Sequence, residues 1–75
     1  MADVALRAEW PGLVNQLHVT VGQEVTPEDI VITLESMKML TDITAPVAGR
    51  VSRIHVAEQE AIDAGTMLLE ITPSA

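Results

Sequence analysis

Two stretches of the chain alternate between apolar and polar residues with a spacing close to two. They are residues 12–19, Gly-Leu-Val-Asn-Gln-Leu-His-Val, and residues 49–56, Gly-Arg-Val-Ser-Arg-Ile-His-Val. This period, interrupted once in each stretch, and the prominent β-branched residues predict β-strands. Two further segments, Ile30–Leu34 and Met67–Ile71, are nearly continuous apolar runs between turn formers. Such short runs are typical of strands that are buried on both faces.

Turn-forming residues separate these segments at short intervals. They occur at Pro11-Gly12, Gly22-Gln23, Thr26–Asp29, Ala45-Pro46, Gly49 and Ala64-Gly65. Glycine supplies positive φ angles, proline fixes φ, and short polar side chains bond to the local backbone. Turns this frequent leave little room for a helix of ordinary length, so an all-β fold is predicted.

The second half of the chain repeats the first. A shift of 37 positions places residues 12–34 on residues 49–71 without a gap. The matched pairs run along the whole stretch: Gly12/Gly49, Val14/Val51, Leu17/Ile54, His18/His55, Val19/Val56, Val25/Ile62, Ile30/Met67, Val31/Leu68, Ile32/Leu69 and Leu34/Ile71. An internal duplication predicts two structural halves related by a pseudo-two-fold axis. Residues 35–48 have no counterpart in this comparison.

Short, duplicated strands predict a sandwich or flattened barrel of about eight strands. The chain has 75 residues, and a chain of this size buries only about 60% of its unfolded surface, so it forms one domain, residues 1–75. The core must be aliphatic, because Trp10 is the only aromatic residue. There is no cysteine to form a disulfide or bind a metal.

The net charge of the chain limits the classes of partner that it can bind. Eleven acidic residues against four basic ones give a net charge of −7, which disfavours binding to nucleic acids and to anionic membrane surfaces. The N-terminal residues include neither a long apolar run nor a basic leader. We therefore expect no signal peptide or membrane span, and a cytoplasmic location. The initial Met1 and the lack of a linker favour a free-standing subunit.

Residues Leu34–Ile43 read as a strand, a tight turn and a returning strand, with Met37 and Lys38 at the apex. Two-residue hairpin turns need positive φ angles, which favour Asn, Asp or Gly. Methionine and lysine are poor choices there, and a local rule broken at an exposed apex indicates function. Lys38 is also the only lysine of the chain. The apex thus presents one primary amine between two methionines, Met37 and Met39.

The apex sequence Glu35-Ser36-Met37-Lys38-Met39 resembles the biotin attachment signature Glu-Ala-Met-Lys-Met of biotin carboxyl carrier domains. The resemblance extends over nearly the whole chain, with further similar elements at Pro11–Val14, Val21–Val25 and Ala45–Gly49. Serine replaces the alanine of the signature. Three turns also depart from the family pattern, at Gln23, Glu28 and Gln59-Glu60, which affects turn geometry and not the attachment site.

The resemblance implies a flattened barrel of two four-stranded antiparallel sheets, with the lysine on a hairpin opposite the termini. Because the halves align without a gap, it implies the type that lacks the protruding thumb of some members. A biotin protein ligase would join biotin to Lys38 as an amide, recognising Glu35, Ser36, Met37 and Met39. The monomeric, non-catalytic carrier would then serve a biotin carboxylase and a carboxyltransferase. An acetyl-CoA carboxylase of fatty acid biosynthesis is the first expectation.

Two other hypotheses stay open. A lipoyl domain of a 2-oxoacid dehydrogenase complex shares this fold and a lysine at the same apex, but typically has Asp-Lys-Ala there. An unmodified β interaction module would leave Lys38 free. The acceptor also stays open. Carriers of this kind serve carboxylases of acetyl-CoA, propionyl-CoA, longer acyl-CoAs, pyruvate and urea.

The histidines and the acidic pairs carry no predicted chemistry. His18 and His55 are equivalent in the repeat and are expected at opposite, symmetric ends of a sheet, with no carboxylate cluster to complete a set of metal ligands. The acidic residues of Glu28-Asp29 and of the pair Glu58 and Glu60 are expected to be solvated charges in turns.

Overall fold

The computed structural model describes residues 2–74, which form eight β-strands and no helix. The strands are β1 (Val4–Arg7), β2 (Gly12–Leu17), β3 (Glu24–Val25), β4 (Ile30–Ser36), β5 (Met39–Thr44), β6 (Gly49–Ile54), β7 (Ala61–Ile62) and β8 (Met67–Pro73). They form two four-stranded antiparallel sheets, sheet A in the order β1-β8-β6-β3 and sheet B in the order β5-β4-β2-β7. The predicted fold class is confirmed. Met1 and Ala75, the outer limits of the predicted domain, lie outside the described residues.

An aliphatic core fills the space between the two sheets. Its largest fully buried side chains are Ile32, Leu68, Leu69, Ile71, Val14, Val31 and Val51. Burying one such side chain contributes about 1.5–3 kcal/mol, so the packing of the two inner faces is the main stabilising interaction. Most of these residues come from β4 and β8, the strands with the apolar runs. Trp10 takes no part in the core, because 54% of its surface is exposed.

The shift of 37 positions seen in the sequence also relates the strands of the two sheets. It carries β2 onto β6, β3 onto β7 and β4 onto β8 with identical bounds. It also carries Val4–Arg7 of β1 onto residues 41–44 of β5, so the structural repeat is longer than the sequence comparison indicated. That part escaped the comparison because Leu6 and Ile43 are its one similar pair.

The first long strand of each half ends earlier than predicted. β2 ends at Leu17 and β6 at Ile54, two residues before the predicted ends. The pairing register of β2 shifts around Asn15, and that of β6 shifts around Ser52. An extra residue of this kind is a β-bulge, which bends the strand and resets which face each side chain occupies. The two bulges explain the single interruption in each alternating pattern.

The β4–β5 turn lies at the opposite end of the molecule from residues 2 and 74, and the molecule is 38 Å long. Only residues 8–11 connect β1 to β2, so the end of β1 and the start of β2 lie at the same end of the sandwich. β2 begins beside the end of β4, where Leu13 pairs with Glu35. β1 begins beside the end of β8, where Val4 pairs with Ile71. The turn that follows β4 is therefore remote from residues 2 and 74.

The turns that depart from the family pattern differ in their backbone strain. Gln59 has a φ of 72°, in the region that favours glycine, and its repeat equivalent Gly22 has a φ of 95°. Glu28 does not adopt the positive φ of its equivalent Gly65. The Glu28 turn is instead closed by the backbone N–H of Thr26, which donates to Oδ2 of Asp29 at 2.8 Å. The replacement at Gln59 is thus strained, and the one at Glu28 is not.

Candidate functional site

The β4–β5 connection is a two-residue turn at one end of the molecule. Ser36 and Met39 form the last pair of the ladder, and the turn residues Met37 and Lys38 have φ angles of 52° and 66°. Two consecutive positive φ angles indicate a type I′ turn, one of the two types that a two-residue hairpin usually adopts. A residue other than glycine pays roughly 1–2 kcal/mol for this conformation. The fold therefore tolerates strain at both residues of the apex.

The base of the hairpin is held by the neighbouring strand. Gly12 of β2 lies so close to β4 that a Cβ atom at this position would be 2.6 Å from the carbonyl oxygen of Glu35. The next residue, Leu13, pairs with Glu35 on one side and with Ala61 of β7 on the other. The tip of the hairpin therefore projects from a closely packed base, in which β2 lies between β4 and β7.

The side chains at the tip are open to solvent. Met37 is 92% exposed and Met39 is 70% exposed, which excludes core packing as the reason for either methionine. Lys38 is exposed as well. Within residues 2–74, no hydrogen bond or ion pair involves its amine. An exposed primary amine without a partner is suited to carry an acyl group, because amide formation there displaces no protein contact.

The strand alternation sets which way the residues below the tip face. Met39 pairs with Ser36 and continues the row of the core residues Ile32 and Leu34, but it lies beyond the end of the core. Leu40 pairs with Glu35 in the outward-facing row and is 62% exposed. Sequence reasoning missed Leu40 as part of the exposed tip.

The repeat holds a signal that marks Leu40 as unusual. Its equivalent is Asp3, directly before β1 of sheet A, which accepts hydrogen bonds from the hydroxyls of Ser52 at 2.6 Å and Thr72 at 2.8 Å. Those two hydroxyls lower the pKa of the Asp3 carboxyl, with a smaller contribution from the charge of Arg53. A polar residue thus suits this position in sheet A, and an exposed leucine replaces it beside the apex.

The predicted site residues lie together in one hairpin. Glu35 and Ser36 are half-buried at its base, and Met37, Lys38 and Met39 form its exposed tip. Oε1 of Glu35 accepts a long hydrogen bond of 3.5 Å from the side-chain amide of Asn15 on β2. The three arginines lie elsewhere, on β1 and β6 of sheet A. Lys38 is therefore the only cation on sheet B or its hairpin.

The two histidines directly follow β2 and β6 and contact different sheets, so their predicted placement at the two ends of one sheet is wrong. Nε2 of His18 lies 2.7 Å from the hydroxyl of Thr33 in sheet B, and that hydroxyl donates to Asp42 at 2.9 Å. Nε2 of His18 must then donate to the hydroxyl oxygen. Nε2 of His55 contacts Glu70 of sheet A at 2.8 Å. These bonds link neighbouring strands, and within residues 2–74 no three His, Cys, Asp or Glu side chains are grouped to hold a metal.

A two-sheet β-sandwich that presents one unpaired lysine on a strained hairpin, at the end opposite to residues 2 and 74, has the architecture of a carrier domain. Residues 4–71 match the model of the biotin and lipoyl attachment family, which is described as "Biotin-requiring enzyme". The chain belongs to this family.

Two relatives agree with this assignment. A Streptococcus mutans protein named biotin carboxyl carrier protein is 39% identical over 64 residues, which are 85% of this chain and 49% of that protein. A Mycobacterium leprae protein named biotinylated protein TB7.3 homolog is 36% identical over 67 residues, which are 89% of this chain and 94% of that protein. The chain thus spans about half of the first relative and nearly all of the second.

Solved structures confirm the fold. A single-chain, multi-domain long-chain acyl-CoA carboxylase matches with a TM-score of 0.90 and 30% identity, over 96% of this chain and 7% of the larger one. The lipoyl domain of the 2-oxoglutarate dehydrogenase complex from Azotobacter vinelandii matches with a TM-score of 0.84 and 19% identity, over 96% of this chain and 99% of that domain. The second likeness concerns the fold alone. The expected family is confirmed, and its description agrees with the expected cofactor, biotin.

Proposed function

We propose that the chain is a biotin carboxyl carrier and that Lys38 is its attachment residue. One observation carries the proposal: the only lysine of the chain stands exposed and unpaired at the apex of a strained turn, between two exposed methionines. A fold that needed only a tight hairpin would be better served by Asn-Gly at these two positions. The strain at Met37 and Lys38 is accepted because the apex must present an amine.

The residues of the hairpin prepare this amine for acylation by a biotin protein ligase. Only a neutral amine is nucleophilic, so the base that takes up its proton must come from the ligase. The carrier contributes position: the close contact of Gly12 with β4 supports the hairpin, and Lys38 is exposed at its turn. Met37 and Met39 offer adaptable apolar surface that a ligase or carboxylase can contact.

Bound biotin supplies a cyclic urea that accepts a carboxyl group at one active site and gives it up at another. The contribution of the carrier to this transfer is tethering. A group held on a short arm reaches an effective concentration in the millimolar range at a partner site, which replaces diffusion of a labile species. The domain itself is then a non-catalytic, monomeric carrier that serves a biotin carboxylase and a carboxyltransferase.

For the acceptor we propose acetyl-CoA, and for the location the cytoplasm. The name of the Streptococcus mutans relative supports a carrier that is distinct from its catalytic partners. The likeness to a long-chain acyl-CoA carboxylase supports a thioester of coenzyme A as the acceptor class. The question is open to a direct assay, in which the biotinylated chain, its carboxylase and its transferase are offered acetyl-CoA, propionyl-CoA and pyruvate with labelled bicarbonate. With ATP present to activate bicarbonate, label in malonyl-CoA, the carboxylated product of acetyl-CoA, supports the proposal, and label only in the carboxylated products of propionyl-CoA or pyruvate contradicts it.

Intact mass after co-expression with a biotin ligase tests the attachment site. Biotin adds roughly 226 Da and lipoate roughly 188 Da to one amine, and an unmodified module gains nothing. The variant Lys38→Arg should fold normally and gain no mass, because a guanidinium keeps the charge but is not a usable nucleophile.

A matched control moves the lysine without changing the composition. The double variant Lys38→Arg/Arg50→Lys places the only lysine on β6, in sheet A and away from the hairpin. We expect no biotin on this variant either, since the ligase requires the hairpin context and not merely an exposed amine. Full biotinylation of the double variant would contradict a site defined by the apex.

A further inference from the structure

A groove of about 250 Å³ lies on the side of the sandwich where the edge strands β1 and β5 face each other. Its lining consists of Leu6, Arg7, Glu9, Trp10, Asp42, Ile43 and Thr44. The volume is just below the roughly 300–1,000 Å³ of pockets for drug-sized ligands, so the groove suits a smaller ring system. The attachment site proposed above does not use this groove.

The lining combines apolar surface with both kinds of hydrogen-bonding group. Leu6, Ile43 and the half-exposed ring of Trp10 supply the apolar part. Asp42 and Glu9 supply carboxylate acceptors, and Asp42 already accepts one hydrogen bond from Thr33. Arg7 uses one guanidinium nitrogen to donate to the carbonyl of Gly65 at 3.0 Å and retains other N–H donors. A small, uncharged ring that carries N–H donors and a carbonyl acceptor would match this set.

A cyclic urea on Lys38 can reach the groove. Lys38 and Asp42 belong to the same hairpin, four residues apart, so their Cα atoms are separated by at most about 14 Å. A lysine side chain extended by a pentanoyl amide places its ring roughly 14 Å from the Cα atom, at about 1.25 Å of advance per bond. An arm laid back along β5 therefore brings its ring to the near end of the groove.

We propose that the groove between β1 and β5 is a resting site for the ring of biotin carried on Lys38, which rests on the attachment proposed above. Trp10 packs against the apolar face of the ring, Asp42 or Glu9 accepts its urea N–H groups, and Arg7 donates to its carbonyl. A weak site suffices, because a tether provides an effective concentration of about 1 mM and half-fills a site with a Kd near 1 mM. The arm thus divides its time between the groove and solvent.

Backbone and indole amide spectra of the chain, recorded before and after enzymatic biotinylation, test this proposal. We expect chemical-shift changes in two separate places: at the hairpin, and at the indole N–H of Trp10 together with Leu6 and Ile43. In Trp10→Ala the changes at Leu6 and Ile43 should be lost. The control Val21→Ala removes another exposed apolar side chain, on the β2–β3 connection, and should retain them.

Capture of the biotinylated chain by avidin provides a second measurement. A ring that is docked half of the time should be captured about twofold more slowly than a free one. Trp10→Ala should therefore be captured about twofold faster than the unaltered chain, and Val21→Ala at the unaltered rate. The ring of Trp10 is exposed, so its removal does not threaten the core.

The outcomes separate the two proposals. If biotinylation is complete by mass but the shift changes stay within residues 36–40, the resting site is wrong and the attachment site stands. If no mass is gained at Lys38, the attachment itself fails. Groove changes that grow with protein concentration would reveal self-association of the edge strands, and would also overturn the resting site.

Discussion

Lys38 differs from the three arginines in what surrounds its charge. Arg7 donates to a backbone carbonyl at 3.0 Å, Arg50 pairs with Glu24 at 3.3 Å, and Arg53 stands opposite Glu70 in the β6–β8 ladder. Guanidinium groups form such contacts well, but they are not usable nucleophiles for acylation. The chain therefore uses arginine for structural charges and has its single side-chain primary amine at the apex.

Gln59 is a strained residue that offers a test of backbone conformation. Its φ of 72° disfavours any residue with a Cβ atom, so Gln59→Gly should stabilise the protein by roughly 0.5 kcal/mol, after the greater freedom of glycine in the unfolded chain is subtracted. The equivalent Gly22 has a φ of 95°, and a Cβ atom there would meet no atom within 4 Å. Gly22→Ala should thus lose about 1 kcal/mol through conformation alone. Urea unfolding measures the stability of both variants. A Gln59→Gly variant less stable than the unaltered chain would contradict the interpretation that Gln59 is strained.

The lowered pKa of Asp3, at the opposite end of the molecule from the hairpin, predicts that the stability of the protein depends on pH. The hydroxyls of Ser52 and Thr72 hold the pKa of its carboxyl below the usual 3.8. A lowered pKa in the folded state stabilises the protein above the unfolded-state value and loses this contribution as the pH falls through the folded-state value. Asp3→Asn should therefore lower the melting temperature at pH 7, and the difference should shrink below about pH 4. A difference that stays constant down to pH 2 would exclude this linkage.

At the level of elements, the hairpin combines a strained apex with a rigid base. Met37→Asn places a residue that tolerates positive φ at the first turn position and keeps Lys38. We expect this variant to be about 0.5 kcal/mol more stable and to be biotinylated more slowly, because it relieves strain and removes a 92% exposed apolar contact. Thermal unfolding and the initial rate of mass gain measure the two effects. The control for stability is Met39→Asn. Met39 does not have a positive φ angle, so this variant relieves no turn strain and should not gain stability.

The sequence pattern predicted the long strands, through alternation in β2 and β6 and through apolar runs in β4 and β8, and failed where tertiary contacts decide. The runs in β4 and β8, the tight apex at Met37 and Lys38, and the aliphatic core were all readable from the pattern. The bulges at Asn15 and Ser52 could not be predicted, because one inserted residue cannot be told from an ordinary irregularity in a short alternating pattern. The groove at Trp10 was also hidden, since it arises only when β1 and β5 are brought together from distant parts of the chain.

At the level of the whole molecule, the two halves are interlaced. Sheet A takes β1 and β3 from the first half and β6 and β8 from the second, and sheet B takes β2 and β4 from the first half and β5 and β7 from the second. β1 pairs with β8 and β3 with β6, so neither has a partner within its own half. The pseudo-two-fold axis relates the two sheets, and Lys38 lies at the opposite end of the molecule from residues 2 and 74.

This interlacing predicts that neither half folds alone. If the chain is divided between Met37 and Lys38, the first fragment retains the β2–β4 pair and the second retains the β6–β8 pair, and an isolated two-stranded sheet is at best marginally stable. We expect each fragment to give the circular dichroism spectrum of an unfolded chain. A 1:1 mixture should recover the β spectrum, with a melting temperature that rises with concentration because folding is now bimolecular. A stable β fold in either fragment by itself would mean that the core does not depend on both halves.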